Sequence, residues 1–522
     1  MISNLYNWAN KFGYNFNKSK AKQLHFCKFY KCTNKNYQLN KSEITIEKVI
    51  KILGLNFDKK LNWKFHLEYL KNKAIKHLNL IKILSKSKFG TDREKLIFIL
   101  KTLFFGTYDY GSQIYCSASK TNLAIINSPY HSAIRCAIGA FRSSPISNML
   151  VEANCTDLEW RRENIVLKYY CKIQVNKAIQ NFNCNFSNKI AENIILSHME
   201  DQEIKKGYGQ PVPPWIDFNN LIDRRLLQIN KRLNNEGIIK ANFNKIISNL
   251  RNDILIYTDG AKNQVSTSFA LHIPKLNINI IHKINANISI FTAELMAIYL
   301  GVLIASKKLP NTSIIVSDSL SVLGGISNIN NKNIYINKIQ NLIIASNFKI
   351  KFLWVPSHIG IRGNELVDRL ANQGHQNQEV FLFKLDIKEY LNILNKKRND
   401  QKVLSWQKSG NRMTLFNFKL EHKSPPSGLN RRECQILARL RIGHTRLTHG
   451  YLMERNKEQP ECVNCGRTLD VDHLLCCDND FVKTELRKLT ENGKYTRILD
   501  YDNKKIKNVF KFLKALKIIH RI

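Results

Sequence analysis

The stretch from residue 253 to 376 alternates strand-like and helix-like patterns in an order that strongly restricts the possible folds. Its consecutive patterns are ILIYT, SFALHI, INIIHKI, TAELMAIYLGVLIASKK, SIIVS, a pair of polar helices, KIKFLWV and GNELVDRLANQG. The short apolar runs are typical of strands, and the longer ones have helical spacing. Three consecutive strands followed by alternating helices and strands indicate a mixed sheet flanked by helices. We therefore predict an α/β domain with a five-stranded mixed sheet at 253–377.

Acidic residues are scarce in this domain, since residues 251–377 hold 12 Lys and Arg but only six Asp and Glu. Four acids stand at the ends of predicted elements: Asp259 and Asp318 follow strands, whereas Glu294 and Asp368 lie near helix starts. Taken singly, each could be a helix cap or a solvated charge. If the first and fourth strands are neighbours, the four carboxylates meet at one edge and require a cation. Oxygen ligands favour Mg²⁺ or Mn²⁺, and two such ions can cut a phosphodiester.

Four motifs carry these acids in order, namely YTDGA at 257–261, TAEL at 292–295, SDS at 317–319 and WVPSHIGIRGNELVDRLA at 354–371. Together they resemble the type 1 ribonuclease H domain, in the form carried by non-LTR retrotransposons of the jockey and I-element kind. The resemblance implies a set of metal-binding carboxylates and a histidine that assists water activation or product release, namely Asp259, Glu294, Asp318, Asp368 and His358. It also implies contacts of Asn364 and Glu365 with the substrate or the metal site; first-turn helix polarity is the alternative for both.

The activity that the resemblance implies is hydrolysis of the RNA strand of an RNA–DNA hybrid. Such a hybrid is A-like and displays 2′-hydroxyls in a wide, shallow minor groove, which a protein can recognise without reading sequence. The expected partners are therefore an RNA–DNA hybrid, DNA and RNA. The formal net charge of +40 agrees with a polyanionic partner and leaves the oligomeric state open.

Residues 1–100 are basic and aromatic, with 21 Lys and Arg against six Asp and Glu and with the rings of Trp8, Phe12, Tyr14, Phe26, Phe29, Tyr30, Trp63 and Phe65. Basic groups mixed with rings can follow a phosphate backbone and stack on bases, but they can equally be a solvated face over an aromatic core. WANKFGYNFNKSKAKQLHF at 8–26 and IKILGLNFDKKLNWKFHLEYL at 50–70 resemble the closing palm segments of non-LTR reverse transcriptases. The helical patterns that follow resemble the thumb, which favours a primer–template surface.

Polymerase chemistry is not expected of this chain. The reverse transcriptases that residues 8–70 resemble hold Mg²⁺ with a Tyr-x-Asp-Asp loop. No two adjacent Asp residues occur in this sequence. We therefore expect the C-terminal part of a retrotransposon polyprotein that starts after the polymerase active site. Two alternatives stay open: a non-catalytic nucleic-acid-binding relic, and one part of a reverse transcriptase whose polymerase half is on another chain.

A cluster near the C-terminus has the ligand types and spacing of a tetrahedral zinc site, formed by Cys462, Cys465, His473 and Cys477. Adjacent Cys476 makes the fourth ligand ambiguous, and unligated reduced thiols are the alternative. LARLRIGHTRLTHGYLM at 437–453 and PECVNCGRTLDVDHLLCCDNDF at 460–481 resemble the zinc-knuckle-like tail that follows ribonuclease H in jockey-type elements, where the last Cys usually lies one residue further from the His. Closed coordination implies a structural zinc, with Arg439, Arg441 and Arg446 available to nucleic acid.

The expected domain order is a palm remnant at 1–67, a helical thumb and connection region at 68–206, a linker at 207–252, the ribonuclease H domain at 253–377 and a basic helical tail at 378–522. No run of about 18 uninterrupted apolar residues occurs, which argues against a membrane span. The N-terminus MISNLYNWANKFG also lacks the layout of a signal peptide. We expect an intracellular protein, cytoplasmic or nuclear, that is not secreted.

Overall fold

The computed structural model of the protein describes residues 2–17, 20–27, 35–39, 42–86, 90–175, 185–197, 212–229, 236–250, 253–284, 288–309, 312–347, 349–424, 428–454, 457–489, 499, 501 and 503–522. The chain divides into two compact units. The first unit comprises 1–166, 185–190 and 399–522, and the second comprises 167–184 and 191–398. The α/β domain predicted from the sequence therefore lies within the second unit.

Strands are short in the N-terminal part and longer in the second unit. They are β1 (Lys22–Gln23), β2 (Gln38–Leu39), β3 (Ser42–Glu43), β4 (Thr45–Ile46), β5 (Val49–Ile52), β6 (Leu55–Asp58), β7 (Ile222–Asp223), β8 (Ile254–Lys262), β9 (Thr267–Ile273), β10 (Ile278–Ile284), β11 (Ser313–Ser317) and β12 (Ile350–Trp354).

Helices make up most of the described remainder. They are α1 (Ile2–Lys11), α2 (Lys64–Leu84), α3 (Arg93–Tyr108), α4 (Ser112–Tyr115), α5 (Lys120–Ala124), α6 (Asn127–Ile138), α7 (Ile146–Glu152), α8 (Leu158–Val175), α9 (Asn185–Leu196), α10 (Glu236–Ser248), α11 (Ile290–Lys308), α12 (Leu320–Ser327), α13 (Ile334–Ala345), α14 (Arg362–Gln373), α15 (Ile387–Gln407), α16 (Arg431–Ile442), α17 (Arg446–His449), α18 (Val471–Cys476), α19 (Asp480–Leu489) and α20 (Asn503–Ala515).

A mixed sheet forms the centre of the second unit, in the strand order β10–β9–β8–β11–β12–β7. β8, β9 and β10 pair antiparallel, whereas β8, β11, β12 and β7 run parallel. The five predicted strands are present, but the prediction of a five-stranded sheet is wrong by one strand. Ile222 and Asp223 of β7 pair with Phe352 and Leu353 of β12. The sixth strand therefore covers two of the five residues of the edge that β12 would otherwise leave unpaired.

The range predicted as a linker also supplies part of the core beside this sheet. Ile239, Phe243 and Ile246 of α10 are buried in one cluster with residues of β8, β11 and β12. Their spacing of three and four residues places them on one face of the helix. The polar composition at 207–220 gives no sign of this face, which begins almost 20 residues later.

α11 is long and apolar enough to cross a membrane, because Ile290–Lys307 has a mean hydropathy of 1.6. In the structure this helix packs on the sheet instead. At Gly301, an added Cβ would lie 3.3 Å from side-chain atoms of Ile256 on β8 and Ile315 on β11. A buried core helix of a soluble domain can be equally long and apolar, so this hydropathy is weak support for a membrane span.

The first unit combines the predicted helical block with the C-terminal region. Its core cluster contains Leu67 of α2, Leu100 of α3 and Ile134 of α6, together with Ala438 and Ile442 of α16. The apolar spacing that predicts helices after residue 67 is confirmed by α2 to α8. The C-terminal residues therefore complete a core that begins near the N-terminus.

A buried carboxylate joins three separate parts of the first unit. Glu152 of α7 lies 2.8 Å from Arg93 Nη1 and 3.4 Å from Arg441 Nη1, and neither Glu152 nor Arg441 is exposed. The Tyr501 hydroxyl donates to the second oxygen of Glu152 at 2.9 Å. The guanidinium of Arg441 also stacks over the Tyr501 ring at 3.9 Å. One acid that is not exposed to solvent thus pairs with two arginines and accepts a hydrogen bond from a tyrosine.

Replacing Glu152 with Ala should lower the free energy of unfolding of the first unit by about 3–5 kcal/mol, because two buried arginines would lose their counter-charge. Chemical denaturation followed by circular dichroism measures this change. Glu68 of α2 is exposed, so Glu68→Ala should stay within about 0.5 kcal/mol of the wild type. Equal stabilities of the two variants would contradict the role assigned to Glu152.

Candidate active site

Two parallel strands bring the first pair of predicted acids together. Tyr257 of β8 pairs with Val316 of β11, and Asp259 and Asp318 each stand two residues further along. Neighbouring strands lie about 4.8 Å apart, and residues two apart on a strand share a face. The Trp354 indole donates to the Asp318 carbonyl at 3.0 Å just beyond the end of β11. The two carboxyl groups therefore lie at the same edge of the sheet, which is called the carboxylate edge below.

Gly260 allows α11 to reach the carboxylate edge. A Cβ on Gly260 would lie 2.7 Å from the backbone nitrogen of Glu294 and 2.9 Å from the Cβ of Ala293, so a larger residue would displace the helix. The Ser319 hydroxyl donates to a carboxylate oxygen of Glu294. Glu294 is the fifth residue of α11, in its second turn and not its first. The third acid is thus held beside Asp259 by close packing of a helix on a strand.

α14 supplies the fourth acid from the other face of the sheet. At Gly363, an added Cβ would lie 2.3 Å from the ring of Tyr257, so the start of this helix lies directly on β8. Asn372 donates to Asp368 Oδ1 at 2.9 Å. His358 Nδ1 lies 3.8 Å from Asp368 Oδ2. The structure therefore brings Asp368 and the predicted histidine together.

Burial and mutual repulsion both act on the pKa values of these carboxylates. Burial raises the pKa of Asp259 to about 8, and the charges of Asp318, Asp368 and Glu294 add to this rise against a hydrogen bond from the Gly260 N–H. Burial likewise raises the pKa of Glu294 and of Asp318, with neighbouring carboxylates contributing to both. The His358 charge opposes the rise of the Asp318 pKa.

The donor set fits a divalent cation of the Mg²⁺ or Mn²⁺ type. The four acids at the edge offer carboxylate oxygen, which hard cations prefer over nitrogen or sulfur. Carboxylates that are buried together are stable in charged form only when positive charge faces them. Asp259, Glu294, Asp318 and Asp368 are the predicted ligands.

His358 belongs to a loop whose backbone is held in an uncommon conformation. Its φ is 53° and that of Gly360 is 76°, both in the left-handed region that non-glycine residues seldom adopt. The Gly360 N–H donates to Glu365 Oε1 at 3.0 Å, which ties the loop to α14. Ligand atoms of His358, Glu365 and Asp368 lie within 4.8 Å of one another. The His358 side chain is 74% exposed and so lies at the solvent side of the carboxylate edge.

The two neighbouring residues predicted to contact substrate, Asn364 and Glu365, lie in different environments. Glu365 lies beside His358 and Asp368. Asn364 is only 4% exposed, and its Oδ1 accepts no hydrogen bond from any described residue. Glu365 therefore belongs to the carboxylate edge, whereas Asn364 lies inside the fold.

Sequence reasoning missed two side chains that support the acids. The Ser319 hydroxyl accepts from Val322 N at the start of α12, and it also donates to Glu294. Trp354 ends β12 and fixes the backbone at Asp318. Both residues lie inside the quoted motifs, so the sequence marked their positions without indicating their contacts.

A second cluster of ligand atoms lies in the first unit. The ligand atoms of all four predicted zinc ligands, Cys462, Cys465, His473 and Cys477, lie within 4.8 Å of one another. Cys462 Sγ is 3.7 Å from Cys477 Sγ, and Cys465 Sγ is 3.1 Å from His473 Nε2. Gly466, at a φ of 69°, closes the turn by donating its N–H to the Cys462 carbonyl at 2.8 Å.

Cys476, the competing ligand, points elsewhere: its thiol donates to the carbonyl of Asp472 at 2.9 Å. Burial raises the pKa of the Cys462 thiol, but hydrogen bonds from the Asn464 N–H and from His473 outweigh it and lower that pKa to about 6. A thiol that ionises readily is a better metal ligand. The cluster thus has the composition and spacing of a closed zinc site.

Two of the three arginines named near this cluster contact the interior of the protein. Arg441 is fully buried, and Arg439 donates to the carbonyls of Gly139 at 2.7 Å and Ile522 at 2.8 Å. Burial lowers the pKa of Arg439 to about 10. The prediction that Arg441 is available to nucleic acid is therefore wrong, because its side chain is buried in core contacts. Arg439 is half-buried, and its guanidinium is engaged by backbone carbonyls. Arg446 is exposed.

The raised pKa of Asp259 predicts how stability depends on pH in EDTA. The unfolded carboxyl loses its proton near pH 4 and the folded one near pH 8, so the free energy of unfolding should fall as pH rises between these values. Asp259→Asn removes this titration. The free energy of unfolding of the variant minus that of the wild type should therefore be more positive at pH 8 than at pH 4, by at least about 1.4 kcal/mol.

Denaturant titrations across this pH range test the prediction. Asp253→Asn is the matched control, because Asp253 precedes the same strand but does not contribute to the shifted pKa values at the carboxylate edge. A pH-independent difference between Asp259→Asn and the wild type would contradict the electrostatic description of the site.

Comparison with known proteins agrees with this geometry over one part of the chain. The family model described as RNase H matches residues 251–376. The match begins just before β8 and ends after α14, so it includes Asp259, Glu294, Asp318, His358 and Asp368. The search of curated proteins finds no match to the chain. Residues 251–376 thus form a ribonuclease H domain.

Proposed function

We propose that this protein is an endoribonuclease that hydrolyses the RNA strand of RNA–DNA hybrids. The observation that carries the proposal is the convergence of Asp259, Glu294, Asp318 and Asp368 at one edge of the sheet, where burial raises the pKa of three of them. The ribonuclease H match over 251–376 supports the same activity.

The four carboxylates would hold Mg²⁺ or Mn²⁺. Two such ions, when bound, supply activation of the attacking water and stabilisation of the leaving 3′ oxygen. Ser319 orients Glu294, and Asn372 orients Asp368, each through one hydrogen bond. His358 stands at the solvent side of the edge, where the ring nitrogen that does not face Asp368 can take up or return a proton.

The basic N-terminal region is proposed to hold the nucleic acid. Trp8, Phe12 and Tyr14 are 55%, 57% and 62% exposed, which supports stacking on bases. Trp63, by contrast, is 2% exposed and packs in the core. Phe29 and Tyr30, also named in the sequence, lie outside the described residues.

We also propose that the chain is part of a retrotransposon polyprotein. Support comes from the order of the motifs, in which palm-like and thumb-like segments precede the ribonuclease H domain and a Cys/His cluster follows it. The competing proposal is a nucleic-acid-binding relic without catalysis. The two differ in one outcome, because the relic would bind a hybrid without cutting it.

The Cys/His cluster is proposed to bind one structural Zn²⁺. Three thiols and one imidazole are a common tetrahedral set for zinc, and no position remains open for a substrate. The contacts between Cys462 and Cys477 and between Cys465 and His473 support this assignment.

The wild-type protein with Mg²⁺ should cut the RNA of a labelled RNA–DNA hybrid and leave the same RNA intact in a duplex with RNA. Asp259→Asn and Asp318→Asn should each slow cutting by at least about 100-fold, because a metal clamp supplies several kcal/mol and about 1.4 kcal/mol is a factor of ten. Gel assays measure cutting, and fluorescence anisotropy should show that both variants still bind the hybrid. A wild type that binds but does not cut would favour the relic.

Purified protein should contain one Zn²⁺ per chain by elemental analysis. Cys477→Ser should lose most of this zinc, whereas Cys476→Ser should retain it, because only the Cys477 thiol lies among the ligand atoms. Equal zinc contents in the two variants would count against the assigned ligand set. A strong chelator should also lower the melting temperature of the wild type.

A further inference from the structure

The chain stays attached to the second unit after the ribonuclease H match ends at residue 376. Val380 forms a β-bridge with Lys283 of the edge strand β10, and the Phe381 N–H donates to the Lys283 carbonyl at 2.7 Å. The Tyr335 hydroxyl donates to the carbonyl of Lys384 at 2.6 Å. These contacts fix the approach of α15, whose first half belongs to the same unit.

α15 brings a buried acid to the start of α11. Glu389 is 6% exposed. Its carboxylate accepts hydrogen bonds from the Ser289 N–H at 2.6 Å, from the Ser289 hydroxyl at 2.7 Å and from the Thr292 hydroxyl at 2.9 Å. Ser289 is the N-cap of α11. Glu389 therefore holds the beginning of the helix that carries Glu294.

This contact has physical reasons to be strong and specific. The first turn of a helix leaves backbone N–H groups without partners and carries a partial positive charge, so a carboxylate is favourable there. Hydrogen bonds to an ionised acceptor are about twice as strong as neutral ones. Glu294 lies only five residues beyond Ser289, so a shift of the first turn moves it relative to Asp259.

We propose that Glu389 is a positioning residue of the metal site, which acts through the start of α11 to hold Glu294 at the carboxylate edge. The working nuclease then extends past the ribonuclease H match into α15. This inference rests on the proposed function, and it assigns to α15 a part in cation binding.

The same segment offers a matched control. Asp386 is 8% exposed and accepts from the Ile334 N–H at 3.2 Å and from the Lys388 N–H at 3.0 Å. Ile334 begins α13, which carries none of the four carboxylates. Asp386 thus hydrogen-bonds the starts of α13 and α15, so its replacement loosens this segment while leaving the contacts of Glu389 with Ser289 and Thr292 in place.

The test compares Glu389→Ala, Glu389→Gln and Asp386→Ala in the full chain. Thermal unfolding in EDTA measures the structural cost, and the Mg²⁺ concentration that gives half-maximal thermal stabilisation measures cation binding without catalysis. Both alanine variants should melt below the wild type. Glu389→Ala alone should raise the Mg²⁺ midpoint about threefold to tenfold, below the roughly 10–100-fold loss typical of groups that contact a metal ligand directly. Glu389→Gln, which retains an acceptor, should lie between Glu389→Ala and the wild type.

Hybrid cleavage gives the second measurement. The Mg²⁺ midpoint for cleavage should shift in Glu389→Ala and not in Asp386→Ala. Equal midpoints in these two variants, or a wild type that Mg²⁺ does not stabilise, would overturn the inference. If the wild type cuts no hybrid, the proposed function fails, and the Mg²⁺ midpoint from thermal stabilisation still decides the role of Glu389.

Discussion

Mutual repulsion of carboxylates is the constraint on which the α/β domain depends. Asp259 and Asp318 cannot move apart, because the parallel pairing of β8 with β11 fixes their distance along and across the sheet. Gly260 and Gly363 then let α11 and α14 approach the same edge from either side. Flexible loops would let such charges separate and relax. A sheet with closely packed helices holds them in place, so the repulsion is relieved by a bound proton or by an added cation.

The principal features of the domain could be predicted because strands and helices each leave a characteristic spacing of apolar residues in the sequence. Each predicted strand is long enough to show its pattern. Of the four acids only Asp318 lies just beyond an element, whereas Asp259 lies inside β8 and Glu294 and Asp368 lie inside α11 and α14. β7 could not be found in this way, since a strand of two residues has no period. The role of Glu389 could not be predicted because it is 100 residues from Ser289, and no local sequence pattern links an acid to a distant helix start.

Charge counted from the sequence proved a poor measure of charged surface. Arg93, Arg431 and Arg441 are 3%, 9% and 0% exposed. Arg431 donates to the carbonyls of Ser85 and Cys136, each at 3.0 Å, and so connects segments more than 290 residues apart. A guanidinium suits this use because it offers five donors in one plane. Some of the net charge of +40 is therefore part of the interior, where it joins backbone to backbone.

The core that unites α2, α3 and α6 with α16 has a consequence for synthesis. The ribosome must release residues 431–442 before this core can close, whereas all strands of the ribonuclease H sheet have emerged by then. Contacts that span some 300 residues also close slowly, because chain entropy opposes distant pairing. The ribonuclease H domain can therefore fold first, while the apolar faces of α2, α3 and α6 stay uncovered until α16 is available. During that interval the nascent chain is exposed to proteases and aggregation at its N-terminal part.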